Sequence, residues 1–141
     1  MPWFEIARGN CDNFGGECVV VTPEALLNEE LERVKDIITD TEGAPLPLKV
    51  LKFDYDAVPE DAVVRTMREG DKFTKFGGGT KNLGDFYTDR KIPVRLRKII
   101  PVVASGSNVL MVCGVEISDG IKITEGTKNV FFSISPDYKK L

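Results

Sequence analysis

A chain of 141 residues, 42% hydrophobic and 29% charged with a net charge of −3, has room for one domain and a modest core. It contains no histidine, which excludes Ser-His-Asp and Cys-His nucleophiles and any imidazole metal site. Its three cysteines, Cys11, Cys18 and Cys113, suit neither a disulfide framework nor a zinc cluster, so no metal is expected.

In chain order, "WFEIA" and "CVVV" read as two strands around the turn-rich "RGNCDNFGG", an N-terminal hairpin. The stretch "TPEALLNEELERVKDIITD" carries helix-start signals: Thr22 as cap, Pro23 in the first turn, and Glu24 near the positive end of the dipole. Leu27, Leu31, Val34 and Ile38 recur at 4-3-4 spacing, which predicts an amphipathic helix over 23–39. The prolines of "EGAPLPL" then divide an acidic segment, 1–49, from the remainder, 50–141. Beyond them the chain reads as mostly β. "LKVLKFDY", "AVVRTM", "PVVA", "NVLMVCGVEI" and "NVFFSIS" are strands, with "SGS" as a hairpin turn. Thr80 is placed to cap a helix, "KNLGDFYTDRK", with Leu83, Phe86, Tyr87 and Arg90 on its core-facing stripe; Pro93 ends it and opens a second short helix, "PVRLRKI". The expected fold class is α+β: a small sheet or sandwich of hairpins, two short central helices, an N-terminal hairpin and one amphipathic helix. No apolar run approaches the roughly 20 residues of a membrane span, and "MPWFEIARGN" lacks the pattern of a secretory signal, so a cytoplasmic location is expected.

Charge is distributed unevenly along these elements. Residues 1–64 hold 5 Lys/Arg against 14 Asp/Glu, whereas residues 65–98 hold 10 against 4. The basic segment includes Gly77, Gly78 and Gly79, read with Thr80 as a flexible turn delivering the chain onto a helix N-terminus, a place that favours an anion. A P-loop needs G-x-x-x-x-G-K-[ST] and a dinucleotide site needs G-x-G-x-x-G; "GGGTKNLG" supplies neither. A nucleic-acid backbone fits better, with Lys72, Lys75, Lys81, Lys91, Arg95, Arg97 and Lys98 as candidate phosphate contacts along the turn and the two helices. Arg90, on the core-facing stripe, is expected to bridge an acid instead. A solvated charged surface remains the alternative reading of the patch, and a protein-interaction module acting through the acidic helix 23–39 remains the alternative function.

"VVRTMREGDKFTKFGGGTKNLGDFYTDRKIPVRLRKIIPVV" followed by "VCGVEISDGIKITEGTKNVFF" closely resembles the C-terminal domain of tRNA(Ile)-lysidine synthetases. Arg65, Gly70, Asp71, Gly79, Lys81, Asp85, Phe86, Asp89, Arg90, Lys91, Pro93, Arg97, Gly114, Thr124 and Thr127 agree in order and spacing, over about residues 50–135. The resemblance implies a parent enzyme that converts the wobble cytidine of an isoleucine tRNA with a CAU anticodon to lysidine, using ATP, magnesium and free lysine. Its catalysis belongs to a domain with an S-G-G-x-D-S loop, a string this chain lacks; "FGGEC" at 14–18 has neither its Ser nor its Asp. The implied role here is to grip tRNA on its acceptor-stem side, next to the catalytic domain, with no catalytic residue and no cofactor of its own. Asn82, Ile99 and Ile100 stand where the family often has basic or aromatic residues, which implies weaker RNA contact at those positions. A similar module occurs in the β subunit of bacterial phenylalanyl-tRNA synthetase.

Overall fold

The computed structural model describes residues 19–141, so "WFEIA", Cys11 and Cys18 lie outside the described residues. Two sheets carry the fold. In the first, β1 (Val20–Pro23) and β2 (Leu48–Asp54) flank β9 (Val130–Pro136), both antiparallel to it. The second has the order β3 (Val63–Arg65), β6 (Val102–Ser105), β7 (Asn108–Val112), β4 (Lys72–Thr74), β5 (Thr80–Asn82), and β8 (Glu116–Ile117) also pairs with β7. Its β4–β7 pairing is parallel, and the others are antiparallel. The architecture is α+β and mostly strand, with a few short helices.

The runs of consecutive valines follow from layering. A strand buried on both faces needs apolar residues at every position, because neighbours point to opposite sides. Val19 and Val21 enter a core between the two sheets with Phe53, Val103, Met111 and Cys113, whereas Val20 faces helix α1 (Leu27–Val34) together with Ile134. Val102 and Ala104 point away from that central core. They pack against helices α2 (Leu83–Asp89) and α3 (Val94–Arg97) through Leu83, Phe86, Tyr87 and Leu96. The layers therefore run α1, three-stranded sheet, six-stranded sheet, α2–α3. Gly114, at φ +75°, makes one close approach possible, since a Cβ there would sit 2.2 Å from the Pro136 carbonyl oxygen.

The expectations for Thr22, Thr80 and the glycine turn are corrected. Thr22 does not cap a helix. It pairs with Phe132 in β1, a 3₁₀ turn over Glu24–Leu26 follows, and the α-helix occupies only Leu27–Val34. The predicted stripe nevertheless faces inward, with Val34 and Ile38 buried and Leu27 and Leu31 against them. Thr80 is likewise not a helix cap but the first residue of β5, opposite Thr74, with the two hydroxyls 2.9 Å apart. Strand pairing satisfies the backbone on both sides of the turn, which a single cap bond does not. The glycine turn therefore closes the β4–β5 hairpin and does not lead into a helix N-terminus. The division expected at 49/50 falls within β2, and β1 on its acidic side pairs with β9 on the other.

Candidate nucleic-acid interface

The β4–β5 hairpin and the two helices after it carry the basic residues. Gly77 (φ +93°) and Gly78 (φ +88°) reverse the chain, closed by hydrogen bonds from Lys75 N to Gly79 O (3.0 Å) and from Gly78 N to Lys75 O (3.0 Å). Positive φ is a conformation that glycine adopts without steric cost. Gly79 has no positive φ, and the Lys75 stem lies 3.0 Å from where its Cβ would be.

The cations divide into two groups. In the first, geometry ties each one to the fold. Arg65 donates to both carboxylate oxygens of Asp71, each at 2.8 Å, with side chains only 9% and 2% exposed. Asp71 also accepts from the Arg68 backbone N–H at 2.7 Å. The Arg65 hydrogen bond above all holds the Asp71 carboxyl below its usual range, against the opposing effect of burial. Arg90 pairs with Glu116 and lies over the Phe86 ring, 5.3 Å from its centroid. Arg97 donates to the Ile92 carbonyl at 2.9 Å and lies 5.9 Å from the Tyr87 ring centroid. Lys81 is half-buried and pairs with Asp89, whose carboxyl is lowered chiefly by that hydrogen bond.

In the second group the charge is available. Arg68, Lys72, Lys75, Lys91 and Lys98 are exposed and have no ion-pair partner among the described residues. Arg95 is also exposed and donates only to the Leu141 carbonyl, at 2.7 Å. Lys91 occupies the one positive-φ position outside glycine among the described residues, φ +57°, directly after α2. Lys72 and Lys81 border a shallow depression of about 490 Å³ with Thr80, Asn82 and Asp85. The structure thus places all seven candidate phosphate contacts on the hairpin and the two helices, five of them solvent-facing and two, Lys81 and Arg97, already engaged.

Burial pushes the Cys113 thiol up to about 12 and raises the Tyr87 hydroxyl as well, so both are inert at neutral pH. Among the described residues no three His, Cys, Asp or Glu side chains stand together as metal ligands. Nor is any described helix long and apolar enough to cross a membrane.

Against known proteins, the sequence model of the TilS substrate C-terminal domain matches residues 62–134. The chain belongs to the TilS C-terminal domain family. Relatives named tRNA(Ile)-lysidine synthase include one from Clostridium tetani, 31% identical over 102 residues that cover 72% of this chain and 21% of the relative. Another, from Clostridioides difficile, is 30% identical over 135 residues, covering 81% of this chain and 29% of the relative. The chain therefore spans under a third of the length of these relatives. A crystal structure of a TilS C-terminal domain superimposes with a TM-score of 0.51 at 28% identity, covering 62% of this chain and 69% of that one. An N-terminal fragment of the phenylalanyl-tRNA synthetase β-subunit from Pyrococcus horikoshii gives 0.56 at 16% identity, over 97% of this chain and 46% of the other, a likeness of fold alone.

Two features of this TilS-type domain had no clear signal in the sequence. Asp71 is an ion-pair hub because β3, the β6–β7 turn and the start of β4 meet there, with Arg65 also donating to the Gly106 carbonyl at 2.9 Å. The second feature is a basic cleft beside β2, where Lys49 and Lys52 meet Phe76 and Arg90 of the basic segment, Glu116 of β8 and Lys139 near the chain's end.

Proposed function

We propose that this domain grips tRNA for a tRNA(Ile)-lysidine synthetase in the cytoplasm. ATP, magnesium and lysine would be handled by a separate catalytic domain, and this chain would contribute no catalytic residue. The observation that carries the reading is the sorting of cations within the family-matched segment: Lys72, Lys75, Lys91 and Lys98 stay exposed and unpaired among the described residues, while Arg65 and Arg90 are absorbed into the scaffold. Phosphate oxygens are contacted by such free cations regardless of sequence, and two short helices beside a hairpin give them fixed spacing. Isoleucine tRNA with a CAU anticodon is the partner expected, held on its acceptor-stem side.

The test is a competition experiment. Labelled isoleucine tRNA bound to the chain is challenged with unlabelled tRNA and with a random RNA duplex of equal length, across a salt series. We expect micromolar or weaker binding near physiological salt, tRNA as the better competitor, and a linear fall of log affinity with log salt. Binding that ignores salt, or no RNA binding at all, overturns the reading in favour of a protein-interaction module presenting the acidic helix at 23–39.

A further inference from the structure

Between β2, β8 and the tip of the β4–β5 hairpin lies a cleft of about 700 Å³ whose lining includes Lys49, Lys52, Lys139 and Phe76. Its volume falls within the several hundred Å³ typical of sites for nucleotide-sized ligands. The three lysines are exposed and have no ion-pair partner among the described residues, and the carboxylate in the lining, Glu116, is already held by Arg90. The floor is apolar, with Ile117 only 7% exposed. Phe76 is 52% exposed, an unusual position for a large aromatic side chain. The Asp119 carboxyl, lowered chiefly by its bond from Lys122 at 2.8 Å, also feels the Gly77 backbone N–H of the hairpin tip that carries Phe76.

We infer that this cleft receives an unpaired RNA nucleotide, with Phe76 stacking on the base and Lys49, Lys52 and Lys139 holding the flanking phosphates. The proposal rests on the tRNA-gripping reading and extends it to a second site. A duplex offers phosphates but keeps its bases stacked on each other. A cleft that combines unpaired cations with a half-exposed aromatic ring instead matches single-stranded nucleic acid, where every base presents a π-face and every linkage a charge. An acidic peptide would satisfy the lysines but leave the ring without a planar partner.

The experiment compares two labelled RNA hairpins that differ only in a four-nucleotide single-stranded 3′ extension, each bound to the full chain by fluorescence anisotropy. We expect the extended hairpin to bind roughly tenfold tighter, and Phe76→Ala to remove that preference while leaving blunt-hairpin binding unchanged. Phe76→Trp, made with Trp3→Phe, should keep the preference and lose emission when a short oligonucleotide is added. The triple change Lys49→Ala, Lys52→Ala, Lys139→Ala should weaken only the extended hairpin and reduce its salt dependence. Equal binding of the two hairpins by the unaltered chain, a preference that survives Phe76→Ala, or displacement of the extension by a poly-glutamate peptide overturns the cleft proposal alone. Failure of both hairpins to bind overturns the tRNA-gripping reading with it.

Discussion

At the entry to the β4–β5 hairpin, Arg65 and Asp71 meet through two parallel N–H···O bonds, almost sealed from solvent; at its exit, Lys81 meets Asp89 with side chains 32% and 53% exposed. The charges are alike and the environments opposite. The buried pair is a structural joint, since removing either partner leaves a largely buried charge without its counter-ion. The open pair is screened and can exchange its carboxylate for a phosphate at little cost. A count of cations along the sequence overstates what is offered to a polyanion, because burial decides which of them remain free.

The contrast can be broken most directly at Asp71. Asp71→Ala should destabilise the domain by about 3–5 kcal/mol in urea denaturation, by leaving Arg65 unpaired; a loss under about 1 kcal/mol would put the two pairs in one class. The pH dependence follows from the same bond. Asp71 has a folded-state value below the ordinary 3.8, so its contribution is complete above the carboxylate range and disappears as pH falls through that lowered value. Asp71→Asn should therefore flatten the acid limb of the stability–pH curve below about pH 4, whereas Asp89→Asn should barely alter it. Between the two pairs, Gly77→Ala and Gly78→Ala should each cost about 1 kcal/mol in thermal unfolding, because φ is positive at both although space is open there. The smallest effect is expected at the exit. Lys81→Ala should change stability by less than about 1 kcal/mol and flatten the RNA salt slope by less than Lys91→Ala or Lys98→Ala does, since part of its charge is already spent on Asp89.

How far the sequence could be read varied with the range of the interaction. The stripe Leu27–Leu31–Val34–Ile38, the strands around "SGS" and the short second helix were legible because each depends on neighbours within a few residues. Arg90 was legible as a structural cation from its place on the core-facing stripe, and it does bridge Glu116. What escaped depends on distant partners. Thr80 has every local quality of a cap, and only the need of β4 for an antiparallel neighbour makes it a strand residue. Lys49 and Lys52 stand three apart in β2 and so leave the strand on opposite faces, which gives no local reason to group them. That both line a cleft closed by Phe76 follows from the packing of two sheets, which no local pattern encodes.

The position of β9 bears on how the protein is made. Val20 is aligned with Ile134, and Asp54 with Val130, so β1 and β2 both wait for a central partner translated more than 70 residues later. During synthesis these strands leave the ribosome with bare hydrogen-bonding edges, while the β6–β7 hairpin can form as soon as it emerges. Such distant closure slows folding and leaves strand edges open to wrong partners, so chaperone demand should be concentrated in the interval before β9 arrives.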